Sequence, residues 1–148
     1  MEKSLILIKP DALQRGLAGE ILSRFEKKGM KIVAMKMLHM DRKLAEQHYS
    51  IHKGKGFFAE LINYITSSPV IAVVLQGKSA VEVIRRTLGE TDPAKASPGT
   101  VRGDFGLDIG YNLVHGSDSI ENARKEISLF FGTDELVDYS RDIDRWIQ

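Results

Sequence analysis

The sequence predicts an α+β sandwich of the ferredoxin-like kind: a four-stranded antiparallel sheet, helices covering it, and a long functional loop before the last strand. Three observations carry this. Short apolar runs rich in β-branched residues recur along the chain. Segments of helical spacing separate them. The resulting order is β-α-β, two helices, β-α, long loop, β-α, which contains two β-α-β-type units with helices on one face. At 148 residues the chain reads as one domain, 1–148.

The elements follow in order. Leu5–Ile8 is the first strand. Ala18, Ile21, Leu22 and Phe25 then recur at helical spacing, and Gly29 ends that helix. Lys31–Met37 is the second strand. Asp41 is placed to cap a helix whose Leu44, Ala45, His48 and Tyr49 share a face. Phe58, Leu61, Ile62 and Ile65 mark the next helix, stopped by Ser67-Ser68-Pro69. Val70–Leu75 is the third strand. Ser79 and Glu82 have capping-box spacing before Val83, Ile84, Thr87 and Leu88, with Gly89 as the stop. From Gly89 to about Asp108 runs a loop holding Pro93 and Pro98, and loops of that length in a compact domain are usually functional or disordered. Tyr111–His115 is the fourth strand. Asp118, with Glu121 three residues on, is placed to cap a last helix with the stripe Ile120, Ala123, Ile127 and Phe130.

Composition narrows the chemistry. The chain carries 21 Lys+Arg and 20 Asp+Glu, a net +1, and no cysteine. No disulfide framework, thiol nucleophile or cysteine-based metal site can form. No apolar run approaches the roughly 20 residues that span a bilayer. Leu5–Ile8 is too short for a signal-peptide core, so a cytoplasmic protein is expected. The near-neutral total hides a basic first part, 15 basic against 8 acidic residues over 1–89, and an acidic remainder with 6 against 12. Such a split either draws an anionic ligand or cancels when the two parts interleave.

Three motifs are decoys. Gly77-Lys78-Ser79 ends like a phosphate-binding P-loop, but Ala72 stands where the first glycine belongs and strand residues fill the gap. Gly54-Lys55-Gly56-Phe57-Phe58-Ala59 mimics a dinucleotide turn without a preceding strand. His48 and His52 are four apart but lack the metalloprotease glutamate, and read as ordinary surface or half-buried histidines. Lys55-Gly56-Phe57 also opens like the aromatic motif of RNA-recognition domains. That gives the alternative function, a ferredoxin-like nucleic-acid-binding module, although the residues after it have helical period.

The sharpest signal is Asn112-Leu113-Val114-His115-Gly116-Ser117-Asp118. It sets a histidine at a strand end just before a capped helix, and a helix N-terminus suits a phosphate. An imidazole is mostly unprotonated at pH 7 and can attack without a separate base. Ser117 is placed to orient the ring. Glu126, two helical turns past Asp118, can reach back to fix its tautomer and stabilise positive charge on it. On this pattern alone a structural histidine remains an open reading.

At these residues the sequence resembles the nucleoside diphosphate kinase family. The stretch looks like that family's active-site signature, with His115 as the phosphorylated histidine. The resemblance also includes Ile8-Lys9-Pro10-Asp11, Gln14-Arg15-Gly16-Leu17, Phe57-Phe58, Gly89-Glu90-Thr91-Asp92-Pro93, Pro98-Gly99-Thr100 and Arg102-Gly103-Asp104-Phe105. It departs at Gly56, where many relatives carry proline. It implies ping-pong transfer of the γ-phosphate of a nucleoside triphosphate such as ATP to a nucleoside diphosphate, through a phosphohistidine on His115. Lys9, Ser117 and Glu126 join His115 as catalytic residues. Lys9, Tyr49, Arg85, Thr91, Arg102 and Asn112 become phosphate and ribose ligands. Phe57 stacks on the base, with Ile109 as the apolar wall opposite, and little base specificity follows. The resemblance further implies Mg²⁺ bound through the nucleotide phosphates, with no protein metal ligands. It implies a homo-oligomer, for which the long tail Glu135–Ile147 favours a hexamer over a tetramer. No membrane and no nucleic-acid partner is expected.

Overall fold

The computed structural model describes residues 1–148. The elements run β1 (Glu2–Ile8), α1 (Pro10–Gln14), α2 (Ala18–Lys28), β2 (Lys31–Leu38), α3 (Arg42–His48), α4 (Phe58–Ile65), β3 (Val70–Gly77), α5 (Ala80–Leu88), α6 (Val101–Phe105), β4 (Val114–Gly116), α7 (Ile120–Phe130) and α8 (Asp144–Ile147). Short 3-10 turns lie at Ser50–His52, Ile109–Tyr111 and Thr133–Glu135. The strands form one antiparallel sheet in the order β2-β3-β1-β4.

The spacing suggested helices on one face; they cover both. Leu5, Leu7, Ala72 and Val74 pack with Ala45, Ile62, Ile65 and Phe130 of α3, α4 and α7. Ile6, Ile8, Val73 and Leu75 pack on the other side with Ile21, Phe25, Ile84 and Leu88 of α2 and α5. This is why β1 reads as an unbroken apolar run rather than an alternation: a strand buried on both faces has no wet side.

Three local expectations are corrected. The last strand is shorter than Tyr111–His115. Ile109–Tyr111 is a 3-10 turn, and Leu113 has φ +75°, so the extended ladder can begin only at Val114. Ser79 forms no side-chain cap and itself has φ +52°. The carboxylate of Glu2 instead accepts from the Val81 amide at 2.7 Å, favourable at a helix N-terminus. Ser119, not Asp118, caps α7 by accepting from the Asn122 amide at 3.0 Å, while Asp118 accepts from the Asn122 side chain. Asp41 does cap α3, accepting from the Leu44 amide at 2.8 Å.

Register places the key strand. Leu7 pairs with His115 across β1 and β4. Directly paired residues of antiparallel strands point to the same face. His115 therefore shares the face of Leu7, the one covered by α3 and α7.

The long segment after α5 is tied down rather than loose. Arg24 of α2 bonds the Gly99 carbonyl at 3.1 Å and the Asp104 carboxylate at 2.7 Å. Arg15 bonds the Phe105 carbonyl at 2.7 Å. Gly89 turns the chain at φ +85°, and a Cβ there would meet the Thr100 hydroxyl at 2.4 Å, so only glycine fits. The tail docks on the body. The Val137 amide donates to Val33 at 2.8 Å, the Tyr139 hydroxyl to Ile32 at 2.6 Å, and Arg141 bonds the carbonyls of Gly29 and Met30. No helix is long and apolar enough to cross a membrane.

Candidate active site

His115 is half-buried at the centre of β4, and its Nε2 lies 2.9 Å from Oε1 of Glu126. Glu126 sits on α7, so the hydrogen bond joins the sheet to the helix that covers it. The partner fixes the ring. A carboxylate only accepts, so Nε2 carries the proton and Nδ1 keeps its lone pair. Ser117 is fully buried and its hydroxyl donates to the same Glu126 oxygen. It thus acts on the carboxylate and not, as its position suggested, on the ring. Burial would raise the Glu126 carboxyl. The His115 bond and the Ser117 hydroxyl outweigh that and hold it below the ordinary carboxylate range.

A second group surrounds Asn112. Its Oδ1 accepts from Lys9 Nζ at 2.8 Å, and its Nδ2 donates to the Thr91 carbonyl at 3.1 Å. One amide side chain therefore joins the end of β1 to the long loop. Lys9 is buried, and burial together with the Arg102 charge pushes its ammonium down to about 8, against the opposing pull of Asp11. Arg102, on α6, donates to three backbone carbonyls: Asn112 at 3.2 Å, Gly89 at 2.8 Å and Val114 at 2.5 Å. It fastens both ends of the loop to β4. Burial, with the Arg85 charge beside it, pushes Arg102 down to about 10. A guanidinium has five donors, so two remain for a ligand. Arg85 itself, in the last turn of α5, is exposed and opens on a groove shared with Thr100 and Ser119.

A row of rings links this centre to Phe57. Ring centroids run Phe57–His52 5.4 Å, His52–Tyr49 6.2 Å, Tyr49–His48 4.5 Å and His48–His115 4.8 Å. Phe57 is 49% exposed just before α4, with the Lys55 ammonium 5.7 Å from its ring centroid. The Lys55-Gly56-Phe57 stretch thus lies in a turn and at a helix start, not on the strand that the RNA-recognition reading requires. Ile109 is exposed on the 3-10 turn before Asn112. Tyr49 is buried with no partner for its hydroxyl, which burial holds well above the ordinary phenol value.

Of the eleven residues the sequence singled out, His115, Glu126 and Ser117 form one bonded cluster. Lys9, Asn112, Thr91 and Arg102 form another. Tyr49 and Phe57 join through rings, while Arg85 and Ile109 stand at the rim without bonds of their own. Two residues were missed. His48, read as an ordinary histidine, packs edge-on against His115. Asp11 accepts from the Leu113 amide and the Tyr64 hydroxyl. The signal for His48 was its place beside Tyr49, and for Asp11 its place in the Lys9-Pro10-Asp11 motif.

The family model described as nucleoside diphosphate kinase matches residues 2–136. A nucleoside diphosphate kinase of Pelotomaculum thermopropionicum is 57% identical over 147 residues, covering 99% of both chains. One from Archaeoglobus fulgidus is 54% identical, covering 99% of this chain and 97% of its own. Among solved structures, a halophilic nucleoside diphosphate kinase from Halobacterium salinarum in complex with CDP superposes with a TM-score of 0.97 at 46% identity. It covers 99% of this chain and 98% of its own.

Proposed function

The chain belongs to the nucleoside diphosphate kinase family, and on that premise we propose how its residues carry the reaction. The protein is a nucleoside diphosphate kinase, a phosphotransferase acting on nucleotides. Nδ1 of His115 attacks the γ-phosphorus of a nucleoside triphosphate. The Nδ1–P bond forms, the bond from phosphorus to the β-phosphate oxygen breaks, and the diphosphate leaves with that electron pair. A terminal phosphate oxygen of a second nucleoside diphosphate then attacks the phosphohistidine and restores the imidazole. Positive charge on the phosphorylated ring is shared with Nε2–H and balanced by Glu126.

The observation that carries this reading is the 2.9 Å bond from Nε2 to Glu126, which leaves Nδ1 as the free nucleophile. Phosphoryl transfer otherwise needs positioning and charge on the equatorial oxygens. Lys9, Arg85 and Arg102 supply that charge, Tyr49, Thr91 and Asn112 hold phosphate and ribose, and Phe57 and Ile109 enclose the base. A Mg²⁺ ion, held by the nucleotide and by no protein ligand, would supply charge neutralisation at the phosphates. The donor set around His115 supports this: Lys9, Arg102 and Asn112 are cations and an amide, and the carboxylates of Glu126 and Asp11 are already engaged by protein donors. A hard cation seeks several oxygen ligands.

We read residues 1–148 as one catalytic domain working in the cytoplasm as a homo-oligomer, a hexamer rather than a tetramer. Met35 and Met37 of edge strand β2 and Trp146 of the docked tail expose 54%, 63% and 77% of their surface, an apolar display that suits a neighbouring subunit. Light scattering giving a 16.5 kDa monomer would reject this. Steady-state kinetics test the reaction. Varying ATP at several GDP concentrations should give parallel double-reciprocal lines, because one site serves donor and acceptor in turn. Intersecting lines would reject the shared intermediate.

A further inference from the structure

His48 is the side chain that the reaction above leaves unused. It lies at the end of α3, under α7 and against β4, with its ring edge-on to His115, Tyr49 and Phe130 at centroid distances of 4.8, 4.5 and 5.5 Å. Both ring nitrogens are closed off from solvent, and neither has a hydrogen-bond partner in the protein. A buried imidazole without partners is costly, and a phenylalanine would fill the same edge-on space without that cost. The polar edge therefore has a use. One of its nitrogens, a nitrogen of His115 and a carboxylate oxygen of Glu126 all lie within 4.8 Å of one another. That separation is spanned by a single bridging water.

We propose that His48 is a positioning residue for phosphoryl transfer: its imidazole, linked through one water to the Glu126 carboxylate, holds that carboxylate against Nε2 of His115. The inference rests on the phosphohistidine reading above. The three side chains are also a donor set for a transition metal, but Lys9 and Arg102 make this end of the cleft electropositive, which opposes a dication. Burial pushes the His48 imidazole down to about 3, with the His115 and Lys9 charges adding to the effect against Glu126. His48 accordingly stays uncharged near neutral pH. It supports Glu126 without taking the carboxylate's charge away from the phosphorylated ring.

Two variants test this. His48→Phe keeps an edge-on ring and removes both nitrogens; His48→Gln keeps a polar group. Each is read by single-turnover labelling with γ-labelled ATP, by nucleotide dissociation constant, and by ¹⁵N NMR of the His115 ring. His48→Phe should slow labelling about tenfold or more while nucleotide affinity stays within about twofold, since misplacing a reacting group costs rate at unchanged binding. Its His115 ring should lose the single Nε2-protonated tautomer of the unaltered protein. His48→Gln should recover at least about a third of the labelling rate. Labelling of His48→Phe at the native rate, an unchanged tautomer, or a glutamine variant as slow as phenylalanine would overturn the proposal. If the unaltered protein took no label on His115, the phosphohistidine reading would fail first and the proposal with it.

Discussion

The carboxylate of Asp11 accepts the backbone amide of Leu113 at 3.1 Å, and the Lys9 amide donates to the Leu113 carbonyl at 2.9 Å. Leu113 is a fully buried leucine at φ +75°, two residues before His115. A non-glycine residue in that region is strained and persists only where its surroundings hold it. Asp11 is also bonded by the Tyr64 hydroxyl, so α1, α4 and the segment leading into β4 meet at one carboxylate. Asp11→Ala should destabilise the fold by about 1–3 kcal/mol and lower kcat, because Leu113 and the adjacent Asn112 lose their anchor. Thermal unfolding and steady-state rates check this; an unchanged kcat in a folded variant would dismiss the clamp.

The two arginines should fail differently. Arg85 is exposed and bonds nothing, so Arg85→Ala should lower kcat/KM about tenfold or more and leave stability within about 0.5 kcal/mol. Arg102 holds three backbone carbonyls, so Arg102→Ala should lose both activity and stability. Lys78→Ala, in the false P-loop, should change neither. Equal melting temperatures for the two arginine variants would contradict the distinction.

Lys9 makes activity depend on pH. Its ammonium is charged below about 8 and neutral above, so phosphate binding should weaken and kcat/KM fall as pH rises through that value. Stability moves the other way. The unfolded lysine titrates near 10.5, so between about 8 and 10.5 the unfolded state binds more protons, and stability rises with pH there. A kcat/KM profile flat to pH 10 would mean that Lys9 is not the phosphate ligand.

Glu126→Gln keeps the shape and removes the charge that balances a phosphorylated imidazole. Labelling of His115 should slow by about tenfold to a hundredfold without loss of fold. The native carboxyl, held below its ordinary value, also contributes stability that is present above about pH 4.5 and lost as pH falls below it. That acid-side loss should be absent in the glutamine variant. Unaltered labelling kinetics would remove Glu126 from the centre.

Phe57→Ala should weaken all nucleoside diphosphates together, by about 1–3 kcal/mol, since stacking ignores base edges. Competition among ADP, GDP, CDP and UDP measures it. A strong reordering would mean that a hydrogen-bonding residue reads the base.

Legibility in the sequence followed the range of each interaction. Strands β1 and β3 and helices α2 and α4 were readable because local periodicity encodes them. The His115–Glu126 pair was readable because a strand end and the two helical turns from Asp118 to Glu126 fix its spacing. The Asp118 cap was misread because the adjacent Ser119 offers an equal alternative, and the Ser79 cap because the group that takes the Val81 amide, Glu2, lies 79 positions away in the chain. His48 and Asp11 were missed because each acts on a segment far along the chain. The three carbonyls that hold Arg102 likewise leave no trace in side-chain identity.

The most direct test is isolation of the phosphorylated enzyme. Mixed with γ-labelled ATP and Mg²⁺ and freed of nucleotide, the protein should hold an acid-labile label on His115 that passes to added GDP. His115→Ala should take none. Label on Ser117, or undiminished exchange by His115→Ala, would contradict the account.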